Sequence, residues 1–460
     1  MNFKGIWDVI VVGGGTAGAP AAIAAARNGA KVLIVDKNGF LGGACTAGMV
    51  NPIANFHDKN GLPVVAGLFE ETLKRLKDLG GCLGPIHPVE GNPPWGKNPT
   101  ITPFSAEYLK FVLAEMAQQA GVEFLFHTFM TDILVDGGLM KGIIVNNKSG
   151  RQVLMASQVI DCTGDADLAA LAGSPWTMGR QKDGLCMPVS LYLQMGNVDV
   201  EEIGRAIKKN PSDFRWYARG KQIDDAPKGC QRTPLFCSGF IEAIAKAKAV
   251  GELNLGRETL NLFTTVREGE ITINATRVNF VDGTDSWQVA KAEVELRRQA
   301  ISVADFTRKY IPAFSNAYLL NIAPEIGIRE TRHIIGDYVI NMEDVVKGKQ
   351  FDDVIGRGSY SIDIHNPHDS KSTWILVDDS YQIPYRCLLP GKIENLLVAG
   401  RSVSATHEAA ATIRSIPESF ATGQAAGTAA ALAIQKGCTA RQLDVKTLQT
   451  TLRNQGANLG

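Results

Sequence analysis

Neither sign of charge predominates in this 460-residue chain: Lys plus Arg and Asp plus Glu each count 47. A balanced chain has no global field to gather nucleic acid or an anionic membrane, so no nucleic-acid partner is expected. Long apolar runs are also lacking. The stretch from Ala17 to Val35 is broken by Arg27, Asn28, Gly29 and Lys31, too often for a bilayer span. The opening residues, MNFKGIWD, carry no basic segment leading into an apolar core and a small-residue cleavage site, and a cytoplasmic location is the expectation. Eight cysteines, at 45, 82, 162, 186, 230, 237, 387 and 438, are scattered without a CxxC pair. They read as buried, reduced thiols. With 45% apolar and 20% charged residues, what remains is an ordinary globular composition, long enough for roughly two or three domains.

The order of pieces is more telling. DVIVV (8–12) predicts a buried strand, a glycine loop follows, Pro20 to Asn28 an alanine-rich helix stopped by Gly29, and KVLIVD a second strand ending on Asp36. Residues 61–103 are dense in proline and glycine apart from a helix at 67–79, an excursion from the first domain. Ser105 is placed as the cap of the next helix, which is closed by Gly121. VEFLFHTF predicts a strand; TDILVD, MKGIIVN and QVLMAS predict a three-strand antiparallel meander, after which QVIDCTGDADLAALAG returns as strand, loop and helix. Residues 175–385 differ in texture, with an amphipathic helix at about 285–310. IENLLVAGR is once more a buried strand, and SIPESFATGQAAGTAAALAIQKG a long small-residue helix. The expected fold is α/β: a Rossmann-like nucleotide domain with a β-meander, built from 1–50, 105–172 and 388–460, and an inserted α+β substrate domain from 51–104 and 173–387.

VIVVGGGTAGAP holds Gly13, Gly15 and Gly18. In GxGxxG the first glycine turns the chain, the second admits a pyrophosphate, and the third packs helix against strand. Alone the pattern is weak. Here it joins a strand to a helix and is answered by Asp36, eighteen residues after Gly18, where a carboxylate accepts from ribose hydroxyls and repels a 2′-phosphate. A second glycine pair in GFLGGACTAG (39–48) lets the backbone run beside a longer ligand. At the other end, SIPE (415–418) has capping-box spacing. The free amides of that helix start, with Arg414 just before, suit the N1/C2=O edge of a reduced flavin. No second GxGxxG after a strand follows residue 172, so an NAD(P)H domain is not expected.

VVGGGTAGAPAAIAAARNGAKVLIVDK, GFLGGACTAGMV, VIDCTGDADLAALAG, GIRETRHIIGDYV, IPYRCLLP and NLLVAGRSVSATHEAAATIRSIPESFATGQAAGTAAA together resemble the FAD-dependent oxidoreductases with the glutathione-reductase type of FAD fold, distantly similar to fumarate reductase flavoproteins. The resemblance implies that Gly13, Gly15, Gly18, Asp36, Lys37, Gly42, Gly43 and Thr46 line FAD, with Thr16, Ala17 and Ala44 in the same loops and Cys45 as a backbone contact. It places Met130 at the adenine, Thr163 and Gly164 at the adenosine half, and Gly400, Arg401, Arg414 and Gly427 towards the flavin. Two departures stand out. Many FAD proteins end the last strand with Gly-Asp, whereas here it is Gly400-Arg401. Disulfide reductases carry two cysteines five apart, but Val50 stands where the partner of Cys45 would be, which excludes a dithiol mechanism.

Flavin chemistry needs a group to move a proton and a group to neutralise a developing anion. Arg329, His365, His407 and Arg386 are the catalytic candidates, arginine for its two-pronged fork and histidine for its proton affinity. A salt bridge or a satisfied buried polar group is the ordinary alternative for each; Glu330 and Arg332 read as a structural pair. His365 and His368 lack companions at ligand spacing, and no metal is expected. The expected function is hydride exchange between flavin N5 and a small organic substrate, by dehydrogenation or C=C reduction, with an unidentified electron acceptor; a homo-oligomer is compatible with it. The alternatives are a flavin monooxygenase, or a non-redox FAD or adenylate binder of the thiazole-synthase or tRNA-modification type.

Overall fold

The computed structural model describes residues 2–95, 99–224, 226, 228–377 and 379–460. Strands Asn2–Val12, Val32–Val35 and Glu123–Leu125 lie parallel on one side of a central sheet, and Gly150–Asp161 and Leu396–Val398 continue it on the other. Val9 to Val12 and Val32 to Val35 are buried on both faces, as parallel strands covered by helices must be. Phe129–Asp136 and Leu139–Asn147 add the antiparallel meander.

QVLMAS and QVID are not separate strands: they form one twelve-residue strand, Gly150–Asp161. Its first half pairs with the meander and its second half with Leu396–Val398. The polar Gln158 in the middle reads as a break but is buried and donates to Asn395 Oδ1 at 3.2 Å. VEFLFHTF shortens to Glu123–Leu125, because Phe129 already belongs to the meander. Helices Leu68–Asp78 and Ser286–Tyr310 lie where the periodicity puts them, and Ser105 precedes Ala106–Gln119 without a side-chain capping bond.

A second, wholly antiparallel sheet runs in the order Tyr318–Ile322, Leu193–Gly196, Ile271–Asn274, Leu260–Thr264, Leu235–Gly239, Phe214–Gly220, Pro88–Gly91. Helix Ser286–Tyr310 packs its Ala300, Val303, Ala304 and Phe306 into the core on this sheet's outer side. Helix Ile416–Lys436 lies against the parallel sheet and crosses Gly18–Arg27 in direct backbone contact: a Cβ at Gly423 would stand 2.1 Å from Ala17 O, and one at Gly427 2.0 Å from Ala21 O. Among the described residues, no helix is long and apolar enough to cross a membrane.

Candidate active site

A cavity of about 980 Å³ is lined by the loop after the first strand, the second glycine loop, the ends of the parallel strands, the start of helix Ile416–Lys436 and one face of the antiparallel sheet. Of the residues that the sequence singles out, it brings together Gly13, Gly15, Thr16, Ala17, Asp36, Lys37, Gly43, Ala44, Met130, Thr163, Gly164, Gly400, Arg401, Arg414, Arg329 and His365.

The glycine loops are built for close approach. Gly13 has φ +93° and a Cβ there would lie 2.3 Å from Cys162 O, so only glycine suits the turn. Gly42 donates to Gly14 O at 2.8 Å, tying the loops together. A Cβ on Gly15 would meet only Gly43 Cα, at 3.9 Å, so the protein leaves open the space in front of it. Asp36 accepts from the backbone N–H of Gly14 and of Asn38. Burial raises its pKa, those two bonds lower it, and the balance is upward. Lys37 is held by Glu325 at 3.2 Å.

Asp161, fully buried at the end of its strand, organises the turn carrying Thr163 and Gly164. It accepts from Thr163 N–H and O–H and from the first amides of helix Asp167–Leu171, and desolvation lifts its pKa to about 6. Arg401, the departure from Gly-Asp, donates through Nη2 to Asp165 at 2.9 Å, while its buried Nη1 has no partner. An acceptor oxygen in the cavity would satisfy it.

Arg329 is half-buried and donates to Pro188 O at 2.6 Å. Burial, then the charges of Arg257 and Arg414, bring its pKa down to about 10. His365 lies two residues after Asp363 on strand Ile362–His365, and the two side chains therefore share a face. Nε2 lies 3.0 Å from Asp363 Oδ2, and Nδ1 lies 3.0 Å from the hydroxyl of Ser372, the residue directly opposite on the paired strand. Burial, reinforced by Arg329 and Arg257 against the pull of Asp363, lowers the imidazole pKa to about 3. The ring is neutral at ordinary pH.

The remaining expected site residues do not line the cavity. Gly18 packs helix on strand, its would-be Cβ 1.7 Å from Gly13 O. Gly427 serves the helix crossing. Thr46 donates to Leu41 O at 2.9 Å, and the Cys45 thiol is buried, with its pKa pushed up by desolvation. His407 Nδ1 lies 2.7 Å from Glu330 Oε1 and His333 Nε2 3.3 Å from the same atom. This buried His–Glu–His cluster takes no place in the cavity. Burial would raise the Glu330 pKa, but the two histidines outweigh it and bring it to about 2. Glu330 is thus the partner of histidines, and Arg332 that of Asp167 at 2.9 Å. Arg386 faces elsewhere, clamping Asp353 through Nε at 2.9 Å and Nη2 at 3.1 Å. Ser415 does precede the helix, but its hydroxyl contacts Glu418 Oε2, and Glu418 Oε1 accepts from Ser359 and Tyr360 N–H. The capping box of SIPE does not form.

The chain matches the family described as FAD dependent oxidoreductase over residues 8–452. It belongs to that family. FAD is the cofactor of this oxidoreductase, and the open space at Gly15, the free Arg401 Nη1 and the Asp36 carboxylate in one cavity suit an extended dinucleotide. Digeranylgeranylglycerophospholipid reductase 2 of Methanothermobacter thermautotrophicus is 28% identical over 234 residues, 49% of this chain and 57% of the relative. Thiamine thiazole synthase of Aeropyrum pernix is 32% identical over 170 residues, 34% of this chain and 54% of the relative. The oxidoreductase thus spans little more than half the length of these curated relatives. A geranylgeranyl bacteriochlorophyll reductase-like protein from Thermoplasma acidophilum superposes with a TM-score of 0.45 at 13% identity, covering 98% of this chain and 83% of that one.

Sequence reading missed Tyr192, Arg257, Tyr360, Asp363 and Ser372, all of which line the cavity. IDIH carries the signal for Asp363, since its apolar and polar residues alternate. Arg257, in NLGRET, carries none.

Proposed function

We propose that this oxidoreductase exchanges a hydride between FAD and a small organic substrate, dehydrogenating it or reducing a C=C bond, with no NAD(P)H domain of its own. FAD supplies the hydride acceptor or donor when bound. The two ends of the chain and residues 105–172 hold it in this reading, and residues 51–104 and 173–387 cover the substrate. The observation that carries the reading is that a single cavity is shared by the glycine loops and by a polar face of the antiparallel sheet, so cofactor and substrate groups meet without a second nucleotide fold.

Asp363 accepts the Nε2 proton of neutral His365, which leaves Nδ1 to accept from Ser372 O–H. In dehydrogenation, FAD held by the glycine loops would take up the hydride, while the substrate's proton passes through Ser372 to Nδ1 and the electron pair that proton leaves behind forms the new double bond. Asp363 stabilises the imidazolium and Arg329 stabilises negative charge on the substrate.

Anaerobic mixing of the FAD-loaded protein with acids, polyols and cyclic alcohols tests the reading: one class bleaches the visible flavin band, and Ser372→Ala slows that bleaching. Reduction by NADPH alone, followed by incorporation of O2 into product, supports a monooxygenase instead. A flavin that never cycles points to the non-redox alternative.

A further inference from the structure

Arg257 is a charged cavity side chain for which the hydride-exchange reading has no use. It lies just before strand Leu260–Thr264, is 8% exposed and lines the cavity, yet its Nε and Nη2 have no hydrogen-bond partner. A buried, unpaired guanidinium is costly to keep. Those two nitrogens form one edge of the fork, the same edge that Arg386 presents to both oxygens of Asp353 at 2.9 and 3.1 Å. The protein itself thus shows what this edge takes: a planar carboxylate.

The surroundings point the same way. Arg329 and Arg414 line the same cavity, and Arg414 Nε is also buried without a partner. The carboxylate that acts on both Arg257 and Arg329 is Asp363, already engaged by His365 at 3.0 Å. Positive charge therefore exceeds negative at this end. Beyond it the wall is aromatic: Trp216 meets Trp95 edge-on at 4.7 Å and lies tilted against Phe263 at 6.3 Å, ring centre to ring centre, and all three rings line the cavity.

We infer that the substrate is an organic acid, its carboxylate gripped bidentately by Arg257 and its apolar body lying against Trp95, Trp216 and Phe263. The inference rests on the hydride-exchange reading, whose substrate class it names. Arg257 binds and orients; the proton still moves through Ser372 and His365. The acid's negative charge also offsets the cationic field of Arg257 and Arg329 that disfavours a proton on His365.

The test is equilibrium binding to the FAD-loaded protein, by calorimetry and by perturbation of the flavin absorbance, with benzoate, phenylacetate and 3-phenylpropionate against their amides. At least one acid is expected to bind roughly tenfold or more tightly than its amide, with a preference that shrinks in high salt and disappears in Arg257→Met while FAD content and circular dichroism stay unchanged. Arg257→Lys should recover part of it. The inference is overturned if no acid binds more tightly than its amide, if Arg257→Met keeps the preference, or if phenylphosphonate outcompetes every acid. Should the variants not fold, the acid-to-amide comparison in the wild type decides. Anaerobic reduction is scored separately. Acid preference without reduction by any compound leaves the anion site standing and removes the redox reading, whereas reduction by a neutral compound without acid preference does the reverse.

Discussion

Glu418 is fully buried at the start of helix Ile416–Lys436, and desolvation raises its pKa from the ordinary 4.5 to about 8. Between those values the folded chain holds a proton that the unfolded chain has lost. The stabilisation is therefore complete below the unfolded value and drains away as pH rises through about 8, by up to about 1.4 kcal/mol per pH unit. Denaturant midpoints of wild type and Glu418→Gln, compared from about pH 5 to about pH 8, should diverge, with the wild type losing a few kcal/mol relative to the variant; parallel curves would show the carboxyl ionised throughout. Arg414, just before the same helix, lines the cavity and contacts Asp363. Its removal in Arg414→Ala should lower the midpoint potential of bound FAD, roughly 30 mV for each tenfold loss in preference for the reduced form. Dye-equilibrated titration reads this directly, and an unmoved potential would place the guanidinium away from the flavin.

At the scale of elements, the crossing of Gly18–Arg27 by Ile416–Lys436 depends on two glycines four apart meeting two carbonyls four apart. Gly427→Ala should cost about 1–3 kcal/mol through overpacking, seen as a lower denaturant midpoint, because a backbone carbonyl cannot step aside as a side chain can. The same helix shows how far a sequence can be read. Its small residues announce close approach without saying to what, and Gly427 turns out to meet Ala21 rather than a cofactor. The first glycine loop is legible because turn, helix start and acidic strand end act within a few dozen residues. His365 is legible by its chemistry and Asp363 by its spacing. Arg257 is not, since its meaning comes from Arg329, Arg414 and Asp363, which only the folded chain brings near.

For the molecule as a whole, the cavity joins two sheets that share no strand. Stripping FAD should lower the melting temperature, and FAD at a hundredfold excess over its Kd should restore about 2.7 kcal/mol. Hydrogen exchange should quicken on removal not only at the glycine loops but also in strand Leu260–Thr264, where Asn261 and Phe263 line the cavity; a change confined to the parallel sheet would mean that the two halves do not share the ligand. The contact between the first and last long helices has a further consequence during biosynthesis. Translation makes the glycine turn long before the helix that backs it, so the nascent chain carries that loop without its backing through the whole interval between them, and the loop becomes rigid only when the later helix arrives.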